Sequence, residues 1–162
     1  MTKHFSLTVT LLTLTGTIPF ILSAFVALYP EGLAILLKRD AEGLKLVMVM
    51  ARLSTLLYGA VILSFMAGAR WGKEFGGSFT RLRPMVMVLA VFPAIMAWVT
   101  ALVAVMPGNW MSGGMFILAG GFLFLLAWDS IADYPAWYFR LRILATLSAV
   151  GSLALVAFDA LP

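Results

Sequence analysis

Five stretches of this chain are long, apolar and almost free of charge, and that repetition constrains the fold more than any other feature. They run from about Phe5 to Leu28, Leu46 to Ala69, Pro84 to Met106, Met111 to Trp128 and Ile143 to Phe158. A hydrocarbon layer about 30 Å thick is crossed by roughly 17–25 helical residues, so each stretch is of spanning size. Strands of a membrane barrel would need shorter segments that alternate apolar and polar residues, whereas these are apolar on every face. Composition agrees, with 63% of the 162 residues hydrophobic and 11% charged, against about 45–50% and 25% in a soluble domain. A domain of this size has too little polar surface to cover such an interior in water. The expected fold is all-α: one integral membrane bundle of five transmembrane helices occupying residues 1–162.

Charge placement orients the bundle. Lys3, then Arg70, Lys73, Arg81 and Arg83, then Arg140 and Arg142 fall on one side, seven in all, while Lys38, Arg39 and Lys45 fall on the other, with Arg52 a fourth if it reaches that way. Because Lys and Arg stay on the cytoplasmic side, the N-terminus is expected in the cytoplasm and the C-terminus across the membrane. Topology thus accounts for the net charge of +4, and nucleic acid is not expected as a partner. The first apolar stretch is longer than the 7–15 residues of a signal-peptide core, and no A-x-A site follows it, so it is read as a span. The connection from Tyr29 to about Lys45 holds a short apolar segment ending near Lys38, expected to form an interfacial helix followed by a solvated turn. The Gly76-Gly77-Ser78 triplet lacks the lysine and the strand-to-helix setting of a phosphate loop and reads as a turn.

Only a few residues interrupt the apolar pattern, and each is a candidate. Between Arg52 and Arg70 lie 17 uncharged residues, which places the two about 27 Å apart on a helix. Each arginine can then reach its own interface, or Arg52 is an intramembrane polar residue lining a path with Tyr58 and Ser64. Ala60, Ser64, Gly68 and Gly72 recur every four residues and offer a helix-packing face of small side chains, expected to pack inside the bundle, with contact to a different protein as the alternative. Gly113-Gly114, Gly120-Gly121, Ser148, Gly151 and Ser152 extend that theme. Arg70, Asp129, Asp133 and Arg142 gather at the cytoplasmic level as an interfacial charge cluster, with Trp71, Trp128 and Trp137 as the aromatic belt. Asp129 lies at the edge of hydrocarbon, where an unpaired carboxylate is costly, so Arg70 or Arg142 is expected within hydrogen-bond reach. Pro19 and Pro93 fall mid-span, where each removes one backbone donor.

No reaction chemistry is apparent. With no Cys and a single His, His4, thiolate sites and multi-histidine metal or haem cages are excluded. The Met48-Val-Met50 and Met85-Val-Met87 pairs turn about 200° between sulfurs, too far for a shared soft-metal site. No lysine lies within a span to carry a Schiff base. The charge cluster has no adjacent nucleophile and base. The expected protein is not an enzyme, binds no cofactor or metal, and contacts lipid.

The run from Tyr58 to Phe65 with Gly68, Arg70, Trp71 and Gly72, joined by Gly16, Pro19 and Phe20, by Pro93 with Trp98, and by Pro135, Trp137, Tyr138, Arg140 and Arg142, resembles the transmembrane protein 69 family. That family (domain of unknown function 3429) comprises uncharacterised proteobacterial and mitochondrial membrane proteins. The resemblance covers nearly the whole chain and implies a small polytopic protein of an energy-transducing inner membrane, bacterial here, with no assigned reaction or catalytic residue. With the small-residue faces and short connections, the expectation is an accessory or assembly subunit of a respiratory or photosynthetic complex that meets other transmembrane subunits by lateral packing. A small channel or transporter is the alternative.

Overall fold

The computed structural model describes residues 3–38, 40–75, 84–106, 110–132 and 134–161. The described residues form six helices and no strand: α1 (Lys3–Leu28), α2 (Pro30–Leu36), α3 (Ala41–Phe75), α4 (Pro84–Ala104), α5 (Trp110–Asp129) and α6 (Ala136–Asp159). All but α2 are long and apolar enough to cross a membrane. Several helices outrun the apolar stretches that announce them. Helix α3 extends more than a turn beyond its stretch at both ends, and α6 begins two turns before Ile143. A charge ends the hydrocarbon, but it does not end the helical hydrogen-bond ladder, which continues into the polar interface.

Local signals explain the ends. Pro30 opens α2, at the first helical position where a missing donor costs nothing, and Pro84 is the first described residue of α4. Asp40 caps α3, its Oδ1 accepting from the Gly43 amide at 2.9 Å, and Glu42 adds an acid to the positive end of the helix dipole. Lys38 takes a left-handed conformation, φ 52°, which stops α2. The short helix expected in the first connection is therefore α2. Pro30 and Ala34 are buried, while Ile35 and Leu36 point outward.

Helix α3 is the hub: it packs against α1, α4, α5 and α6, while the others close an arc around it in the order α1, α6, α5, α4. The interior is filled by Leu56 and Leu63 from α3, Met115, Leu118, Phe122 and Leu125 from α5, and Leu153 and Val156 from α6, all fully buried. Two glycines let α3 and α4 approach α5 closely. A Cβ at Gly114 would lie 3.1 Å from Thr100 and 3.3 Å from Leu56, and one at Gly121 would lie 2.5 Å from Met96 and 2.8 Å from Leu63. Leu56 and Leu63, seven residues apart, thus sit against Gly114 and Gly121, also seven apart, as knobs against sockets. The outer surface is equally apolar, with Ile18, Leu22, Phe65, Phe92, Trp98 and Leu155 all exposed. In water such a surface would be an uncompensated cost; in hydrocarbon it is the expected boundary.

Candidate functional site

The candidate residues separate to the two ends of the bundle. At the end where α5 stops and α6 starts, Asp129 is fully buried and accepts from Arg142 through Nε at 2.8 Å and through Nη2, both on its Oδ2. Its other oxygen, Oδ1, and the Thr146 hydroxyl one turn along α6 from Arg142 are buried with no partner among the described residues. Arg70, 3% exposed at the end of α3, stacks its guanidinium 4.9 Å from the Trp128 ring centroid. Its neighbour Tyr134 receives Lys73 Nζ over its ring at 4.1 Å and faces the Tyr138 ring at 5.1 Å. Burial holds the Tyr134 phenol above its ordinary value; the negative charge of Asp129 pushes the same way, and Arg142 and a hydrogen bond from Arg70 oppose it. Arg70, Asp129 and Arg142 thus belong to one network, joined through Trp128 and Tyr134. Asp133 lies outside the described residues, as does Gly76-Gly77-Ser78.

At the opposite end Arg52 Nη2 donates to Asp159 Oδ2 at 2.7 Å and to the Asp159 carbonyl at 3.3 Å. The pair joins the first turns of the apolar part of α3 to the last residue of α6. Asp159 is a residue that the reading of the sequence passes over. Antiparallel alternation of the spans is the signal that points to it, since the start of the second and the end of the fifth must share a level.

Tyr58 and Ser64 do other work. The Tyr58 hydroxyl donates to the Gly16 carbonyl at 2.8 Å, three residues before Pro19, and its ring meets Phe20 edge-on at 4.9 Å. Thr55 Oγ1 donates to Ser23 Oγ at 3.0 Å, so two polar contacts tie α1 to α3 around the proline. Ser64 donates to the Ala60 carbonyl of its own helix.

The four-residue ridge on α3 does not stay on one face. Ala60 is buried and Ser64 half-buried, whereas Gly68 and Gly72 are exposed, and a Cβ at either glycine would meet no atom of the described residues within 4 Å. A step of four advances about 40° beyond a full turn, so three steps carry the ridge from the core to the outside. The seam that does stay buried is on α4: Ala90, Pro93, Ala97, Thr100 and Ala104. Its alternating spacing of three and four keeps one face turned into the bundle, toward α3 and α5, and that spacing is itself a feature of the sequence. Among the described residues no three His, Cys, Asp or Glu come together as a metal site.

Five apolar helices with a packed centre and an apolar exterior define a multi-pass helical membrane protein. A family model described as Protein of unknown function (DUF3429) matches residues 6–158, and the chain belongs to that family, which is uncharacterised. Comparison with curated proteins and with solved structures found no match.

Proposed function

We propose that this protein is a non-catalytic accessory or assembly subunit of a larger energy-transducing complex, respiratory or photosynthetic, in the bacterial inner membrane, and that it acts by lateral helix packing. The observation that carries this reading is the outward strip at Gly68 and Gly72, where the central helix presents bare backbone and a Cβ would meet no atom of the described residues within 4 Å. Membrane helices associate through close backbone approach, because lipid supplies no hydrophobic drive between them. The alternative of a small channel or transporter needs free polar groups along a path. Arg52 through Nη2, Tyr58 and Ser64 are each engaged within the bundle, Arg52 Nε alone of these groups being buried without a partner among the described residues, and the centre between them is filled by leucine, methionine and phenylalanine. Both observations favour packing over conduction.

Purification in mild detergent is the test. The protein should elute with membrane partners, well above its own 17.6 kDa, and the Gly68→Leu, Gly72→Leu double variant should fold but lose them. Migration of the wild type alone at its own mass would end this reading. Solute flux in liposomes that drops in Arg52→Leu would replace it with the transporter.

A further inference from the structure

Two grooves open on the outer surface, and they differ in the charge at their ends. One, of about 440 Å³ between α1, α2 and α3, is lined by Pro19, Leu33, Val47, Met50 and similar residues with no charged group. The other, of about 420 Å³ between α1, α3 and α6, runs from Leu12, Gly16 and Phe65 to Tyr138 and Arg142. By element order the second lies toward the end where, among the described side chains, Arg70, Lys73, Arg140 and Arg142 stand against Glu74 and Asp129, while at the opposite end Lys38, Lys45 and Arg52 stand against Glu31, Asp40, Glu42 and Asp159.

We propose that the groove between α1, α3 and α6 binds one acyl chain of an anionic phospholipid, with the phosphate held at its basic end by Tyr138 and Arg142. At about 420 Å³ the groove falls within the range of about 300–1,000 Å³ typical of sites for small apolar ligands. The walls suit it: Leu12 and Phe65 are exposed, and the hydroxyl of Thr13 is already bonded to the Val9 carbonyl, so the middle of the groove presents no unmet polar demand. Gly16 keeps the floor low, since a Cβ there meets no atom within 4 Å. Tyr138 and Arg142 are four residues apart on α6 and share a helix face. Asp129 takes the Nε and Nη2 edge of the guanidinium, which leaves Nη1 for a phosphate oxygen. The surplus of cations around this end draws anionic headgroups to the same level.

The test is reconstitution into discs holding an equal mixture of phosphatidylglycerol and phosphatidylcholine, transfer to mild detergent, and native mass spectrometry of the lipids that remain. Wild type should retain one phosphatidylglycerol per chain with several-fold preference over phosphatidylcholine. Gly16→Leu and Thr13→Leu, which fill the groove from positions one turn apart on α1, should each lose it, while Gly151→Leu, on an open face of α6, should keep it. Tyr138→Phe should lower the preference for the anionic lipid without abolishing retention. A thermal melt identifies any variant that fails to fold, and the other filling variant then decides. Equal retention of both lipids by wild type, retention unchanged in the folded filling variants, or preference for an added uncharged isoprenoid over phosphatidylglycerol would each overturn the proposal.

Discussion

The two ends of this bundle each carry an ion pair anchored on α6, and the pairs live under different physics. Asp129 and Arg142 have side chains 0% and 7% exposed, whereas Asp159 and Arg52 are 38% and 18% exposed. Arg142 and Asp159 are 17 residues apart, about 26 Å along the helix, so α6 crosses the hydrocarbon between one buried pair and one wet pair. A buried carboxylate is tolerable only with its partner in place, because removal of one ion leaves the other desolvated and unpaired. An exposed carboxylate falls back on water at little cost. The same pairing chemistry is thus a structural requirement at one end and an incidental tie at the other.

The largest expected effect follows from that asymmetry. Arg142→Met should lower stability by about 3–5 kcal/mol, read as unfolding in detergent, because it strands Asp129. Replacing both partners, Asp129→Leu with Arg142→Met, should recover most of that loss. A double variant as unstable as the single one would mean that the pair is not what the buried end depends on. Arg52→Leu at the other end should cost only about 0–1 kcal/mol, and a loss as large as that of Arg142→Met would erase the contrast. The smallest effect is confined to alkaline pH. Tyr134 has its phenol raised from 10.0 in the folded protein, so its contribution is complete below that value and is lost as pH rises through it toward the folded value. Melting temperature measured against pH should fall less steeply above that point in Tyr134→Phe than in wild type.

Much of the architecture is legible in the sequence alone. Charge-free runs of spanning length leave one kind of secondary structure and one solvent, and Pro30 and Asp40 mark their own helix ends. What the runs hide is length, since Glu42, Lys45, Arg140 and Arg142 close the apolar stretches while the helices go on. The cost of a bare carboxylate at Asp129 names two arginines as partners. Choosing between them requires the path of α5 into α6, which seats Arg142 on the carboxylate and leaves Arg70 to Trp128 and Tyr134. Rotation is the least legible property. Each double glycine on α5 contains one socket and one open position, Gly114 and Gly121 against Gly113 and Gly120, and a run apolar on all sides gives no moment by which to tell them apart.

Five crossings put the α5–α6 connection and the C-terminal end of α6 on opposite sides of a membrane. The chain contains no cysteine, so Ser130→Cys and Leu161→Cys can be labelled singly in spheroplasts with a membrane-impermeant maleimide. Leu161→Cys should react from outside, and Ser130→Cys only after the membrane is opened. Labelling of both from the same side would contradict the five-span topology.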